Sequence, residues 1–67
     1  MTTPASNTDA FAAAIRELTE LRDDEREMAR EATARKWIES GATHRNYARG
    51  LTEAIAVLTR HQQQATR

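Results

Sequence analysis

From Asn7 to Arg67 this chain contains no proline and only two glycines, Gly41 and Gly50; its single proline is Pro4. Proline and glycine are the residues that most disfavour a helix interior, costing about 3 and 1 kcal/mol against alanine. Between these few breakers the sequence is rich in Ala, Leu, Arg and Glu, and such a composition favours long helices. Ser6 with Asp9 three residues on, or Thr8 just ahead of Phe11, offers an N-cap. Either start sets Asp9 at the positive end of the helix dipole. Ser40-Gly41 is the expected left-handed stop, after which Thr43 can cap a second helix. The expected organisation is a flexible segment over 1–7 and a helical hairpin over 8–67, with helices at about 8–39 and 44–64 and a turn at about 40–43. The predicted fold class is all-α, an antiparallel two-helix hairpin that dimerises into a four-helix bundle.

These bounds make the helices unequal, about 45 and 30 Å long at 1.5 Å per residue. Pairing outward from the turn sets Tyr47 beside Lys36, Leu51 beside Ala32, Ile55 beside Met28 and Leu58 near Glu25. Phe11 and Ile15 then overhang the second helix and call for cover from another chain. In the second helix Tyr47, Leu51, Ala54, Ile55 and Leu58 share one face, with His44, His61 and Ala65 continuing the line. In the first, Phe11, Ile15, Leu18 and Leu21 begin a stripe that resumes at Met28, Ala29 and Ala32. Glu25 and Arg22 interrupt it. Either Glu25 forms a buried polar layer with Arg22, His61 or Arg60 and fixes register, or the stripe drifts and both side chains reach water. Wheel geometry favours the second.

A 67-residue chain buries only about 60% of the surface its unfolded form exposes, so a lone core is marginal and oligomerisation is the default expectation. The absence of cysteine excludes a disulfide scaffold, a thiol nucleophile and the usual zinc sites. No Glu-x-x-His pattern supports a carboxylate-bridged metal pair, and His44 and His61 stand too far apart on one helix to share an ion. They are read as half-buried caps to the stripe, with a pH response of His61 near Glu25 as the alternative. No nucleophile–base set or glycine-rich phosphate loop is present, so the chain is read as non-enzymatic, without cofactor or metal. It has neither a signal-peptide pattern nor an apolar run long enough to span a bilayer, which places it in the cytoplasm with no membrane partner.

Ten basic and ten acidic residues give a formal net charge of zero, which disfavours wholesale wrapping by nucleic acid. The charges are unevenly placed. Residues 17–27 carry Glu17, Glu20, Asp23, Asp24, Glu25 and Glu27 against Arg22 and Arg26, whereas 30–49 carry Arg30, Arg35, Lys36, Arg45 and Arg49 against Glu31 and Glu39. Arg35 and Lys36 suit a helix C-terminus, but Arg45 opposes the dipole of the second helix. Arg35, Lys36, Arg45 and Arg49 thus form a candidate partner contact for phosphate or acidic protein, in competition with salt bridges to a second subunit. Gly50 with Ala54 makes a smooth strip for close helix approach, and Trp37 lies off the stripe as an exposed anchor or as packing beside Ala42.

Arg45-Asn46-Tyr47-Ala48-Arg49-Gly50-Leu51, followed by Ala54, Ile55 and Leu58, resembles the Tyr-x-x-Gly helix of short helical-hairpin accessory proteins of phages and prophages. The resemblance covers about fourteen of the 67 residues and transfers no catalytic residue. Nine arginines against one lysine agree with a GC-rich source such as actinobacteria or their phages. In size and architecture the chain is also similar to hairpin regulators that dimerise into four-helix bundles and bind paired RNA loops, an analogy of fold alone. The leading expectation is a self-associating protein–protein interaction or assembly module. Its oligomer interface would be formed by Phe11, Ile15, Leu18, Gly50, Leu51, Ala54, Ile55 and Leu58. The alternatives are a small nucleic-acid-binding regulator acting through the basic turn end, and a binder or inhibitor of a host factor.

Overall fold

The computed structural model describes the backbone of residues 7–65 and the side chains of 9–65. Two helices of equal length, α1 (Asn7–Ala34) and α2 (Ile38–Ala65), pack against each other as a hairpin. The all-α hairpin is as expected, but its turn is not. It lies at Arg35-Lys36-Trp37 rather than at 40–43, so α1 is shorter and α2 longer than the sequence suggested. Ser6 and most of the expected 1–7 segment lie outside the described residues, and α1 already runs through Thr8, which is therefore not its cap.

The turn is a left-handed stop made by a residue other than glycine. Lys36 adopts φ 62°. The Lys36 amide donates to the Thr33 carbonyl at 3.0 Å and the Trp37 amide to the Ala32 carbonyl at 2.8 Å. This pair of bonds is the Schellman pattern, which satisfies the last carbonyls of α1. The Gly41 amide then donates to the Trp37 carbonyl at 2.9 Å as α2 begins, with Glu39 in its first turn. Gly41 has no positive φ and ends nothing. It is instead buried inside α2, where an added Cβ would come within 3.3 Å of both Thr33 Oγ1 and the Arg45 guanidinium and 3.6 Å of the Ala29 carbonyl. Here the glycine serves the close approach of α1.

A spacing of alternating three and four residues runs along both helices. On α1 it links Phe11, Ile15, Leu18, Arg22, Glu25, Ala29 and Ala32, and on α2 Gly41, His44, Ala48, Leu51, Ile55, Leu58 and Gln62; all are half-buried or buried. This is the heptad seam of an antiparallel coiled coil. It tightens toward the turn, where the only buried residues among those described are Ala29, Ala32, Ala48 and Gly41. Small residues there let the helix axes close in.

The moved turn shifts the pairing of the helices by about ten residues, nearly three helical turns. His44 meets Glu25, Arg45 meets Thr33 and Phe11 stacks on His61, with ring centroids 6.1 Å apart. The expected partners Tyr47–Lys36, Leu51–Ala32, Ile55–Met28 and Leu58–Glu25 are therefore replaced. In the new register Leu18 is level with Ile55 and Ile15 with Leu58. Among the described residues the two helices leave no overhang, and α2 reaches the Phe11 end.

Candidate functional site

The seam gives the hairpin two opposite broad faces. Residues just before the first seam position of each heptad, Leu21 and Met28 on α1 and Tyr47 and Ala54 on α2, lie toward one face. Residues just after the second position, Thr19, Arg26 and Thr33 on α1 and Arg45, Thr52 and Thr59 on α2, lie toward the other. The first face is apolar and the second is basic, with a Thr/Arg pattern at seven-residue spacing.

On the apolar face Leu21, Met28 and Tyr47 are 52%, 46% and 60% exposed. A second three-four stripe runs along α2 here, through Tyr47, Gly50, Ala54, Val57 and His61. Gly50 sits near the middle of α2, and a Cβ built on it meets nothing within 4 Å. The Gly50/Ala54 strip is thus open, and no helix of the same chain crosses it. Toward the turn the face gives way to a small, mixed depression lined by Met28, Ala32 and Trp37 together with Glu31, Arg35, Ser40 and His44. Trp37 is itself 56% exposed, with the Arg35 guanidinium 5.2 Å over its ring. It belongs to the turn rather than to a helix flank, and Arg35 stacks on it rather than joining a basic cluster.

Beneath this face lies the polar layer of the seam. The Nδ1–H of His44 donates to Glu25 Oε2 at 2.5 Å, both side chains about a quarter exposed. A carboxylate only accepts, so the proton of the imidazole is set on Nδ1 when the ring is neutral. Glu25 does not drift to water. Nor does it pair with Arg22, Arg60 or His61; Arg22 turns to Asp23 at 3.3 Å, and His61 is taken by Phe11.

The basic face holds an open groove of about 760 Å³ lined by Arg26, Arg30, Arg45 and Arg49 over a floor that includes Ala29, Ala48, Thr33 and Thr52. No carboxylate lines it. Arg26 and Arg49 have no ion-pair partner among the described residues; Arg45 donates to Thr33 Oγ1 at 3.3 Å, and Arg30 pairs with exposed Glu27 at 2.5 Å. The Thr52 hydroxyl donates to the Ala48 carbonyl at 2.9 Å, so that side chain lies along its own helix and keeps the floor low.

The expected contact residues therefore separate. Arg45 and Arg49 line the groove, Lys36 forms the turn, and Arg35 and Trp37 stack beside it. Arg26 and Arg30 join the groove although the linear charge runs place Arg26 in the acidic segment; their signal is heptad position, Arg26 and Arg45 each following the second seam residue (Glu25, His44) and Arg30 and Arg49 each following the first (Ala29, Ala48). Phe11, Ile15, Leu18, Leu51, Ile55 and Leu58 line the seam inside the hairpin, each half-buried, while Gly50 and Ala54 lie on the apolar face. Among the described residues no group of three or more His, Cys, Asp or Glu is placed to hold a metal ion, and no helix is long and apolar enough to cross a membrane. Comparison with protein-family models, curated proteins and solved structures finds no match to this chain.

Proposed function

We propose that this chain is a non-enzymatic assembly module whose working unit is a two-fold dimer, hairpin on hairpin, forming an antiparallel four-helix bundle. The observation that carries the proposal is the open apolar stripe at the middle of α2, with Tyr47, Gly50, Ala54 and Val57 flanked by Leu21 and Met28 of α1. A two-fold axis passing near Gly50 and Ala54 overlaps the two α2 helices along their whole length. The glycine then permits the closest approach at the axis.

The distribution of charge along the hairpin favours the same arrangement at long range. Residues 26–49, the turn half, carry six basic and three acidic side chains; the rest of 9–65 carries three basic and seven acidic. Antiparallel stacking sets each basic half at the level of a partner's acidic half and turn-to-turn stacking does not; the bias is long-range, because Arg26, Arg30, Arg45 and Arg49 line the opposite face.

The test is Gly50→Leu, measured by light scattering after size exclusion. The wild-type chain is expected at twice its monomer mass at micromolar concentration and the variant at monomer mass. Because a Cβ built on Gly50 meets nothing of the packed chain within 4 Å, retained helicity by circular dichroism is expected in the variant. A dimeric variant, or a wild-type chain that is monomeric at these concentrations, removes the proposal.

A further inference from the structure

The groove on the basic face is unused by the dimer proposed above, and that face points away from the Tyr47 stripe. We infer that it is a binding site for the phosphodiester backbone of a nucleic-acid duplex, read without regard to sequence. Four arginines line it, two from each helix, and none of its lining residues is acidic although the chain has as many acids as bases. Guanidinium forks match phosphate oxygens in pairs, and Arg26 and Arg49 have no ion pair to give up.

The remaining lining selects among anionic occupants. An acidic protein helix needs an aromatic or aliphatic anchor pocket, and nothing apolar larger than alanine lines this groove. A free nucleotide is normally held in a cavity that encloses most of its surface, whereas this groove is open along its side. Single strands are bound by stacking bases on aromatic rings, and Trp37, Tyr47 and Phe11 all lie outside the lining residues. A duplex backbone requires none of these. It presents a ridge of phosphates with its bases turned inward, which suits a shallow floor of alanine and threonine between arginine rims.

The experiment is fluorescence anisotropy of labelled duplexes of about 20 base pairs, two unrelated DNA sequences and one RNA, at low salt and then along a salt titration. With one phosphate neutralised by each groove arginine, log K against log[salt] is expected to fall with a slope of about −3 to −4 per hairpin on DNA. The two DNA sequences are expected to bind within about threefold of each other. Arg26→Glu with Arg49→Glu is expected to weaken binding at least tenfold, while Arg16→Glu with Arg60→Glu, the same charge change at the open end, leaves it within about twofold. Arg26→Gln with Arg49→Gln, which introduces no repulsion, is expected to reduce the slope by about two. Circular dichroism checks that each variant stays helical, and the wild-type slope needs no variant at all. The inference is overturned by failure of every duplex to bind at low salt, or by equal loss in both charge-reversed pairs. It is also overturned if inorganic tripolyphosphate binds as tightly as the duplex, which makes the site one for small polyphosphates. A change of mass in the Arg26/Arg49 variants with duplex binding intact makes the groove a protein interface and overturns it equally.

Discussion

Lys36 occupies a conformation that costs an L-residue with a Cβ roughly 1–2 kcal/mol. The chain tolerates it because two backbone hydrogen bonds, from Lys36 to Thr33 and from Trp37 to Ala32, close the end of α1 only if one residue turns left-handed. Glycine would relieve the strain but would also enlarge the freedom of the unfolded chain, so the two effects partly offset. Lys36→Gly is expected to stabilise the fold by about 0.5–1 kcal/mol, a rise of a few degrees in melting temperature. Lys36→Ala keeps the Cβ and is expected to give no such gain. Thermal denaturation at one fixed protein concentration decides it, and a glycine variant no more stable than the alanine one would show that the left-handed turn carries no strain. The location of the turn was hidden in the sequence for the same reason. Ser40-Gly41 has the composition of a helix stop, and Arg35-Lys36-Trp37 does not. What outweighed composition was packing: Gly41 is needed against Ala29 and Thr33, where any side chain presses on α1.

At the scale of the helices, much of the seam survived the misplaced turn. A slip of about ten residues is nearly three turns, so a helix moved by that much presents nearly the same face. Leu51, Ile55 and Leu58 therefore face α1 as their spacing indicated, but against different partners, and Tyr47 falls outside the seam. Glu25 could not be placed from α1 alone, because its fate depends on which residue of α2 lies opposite. With His44 there, it becomes a polar layer between the Leu-rich and Ala-rich parts of the seam. Such a layer adds modestly to stability and helps fix the register. A double-mutant cycle with Glu25→Ala and His44→Ala is expected to return a coupling of about 1 kcal/mol, each single change costing about as much as both together. Urea unfolding at constant protein concentration measures it, and strictly additive losses would mean the two side chains do not support one another. The groove was less legible than the seam. Arg26 is separated from Arg45 and Arg49 by the turn; the seven-residue Thr/Arg spacing on each helix marks Arg26 and Arg45 as one face, and Arg49 joins them one turn beyond Arg45.

The molecule as a whole is one helix thick, with Cα extents of 54 × 23 × 11 Å, and a single layer cannot cover both sides of its own helices. Its accessible surface is 5367 Å² for a mass of 7.6 kDa, where a compact monomer of that mass exposes about 4,300 Å². The excess, on the order of 1,000 Å², is comparable to what one partner contributes to a standard interface, about 800 Å². Among the described residues no large side chain is fully buried, and the buried part of the seam is only alanine and glycine. If the second layer is a second copy, folding and association are one equilibrium, and stability must depend on concentration. Each tenfold dilution removes about 1.4 kcal/mol per dimer. Set against the unfolding entropy of two such chains, this lowers the melting temperature by about 5 °C. Differential scanning calorimetry across a hundredfold range is therefore expected to show a shift of about 10 °C at low salt. Raising ionic strength from about 0.05 to 0.5 M should lower the transition slightly further, because it screens the long-range attraction between each basic turn half, most of whose arginines lie on the far face, and the partner's acidic half. Turn-to-turn stacking would respond in the opposite sense, since screening would relieve repulsion. A transition that stays at one temperature over the whole concentration range would instead mean that the single layer is stable by itself.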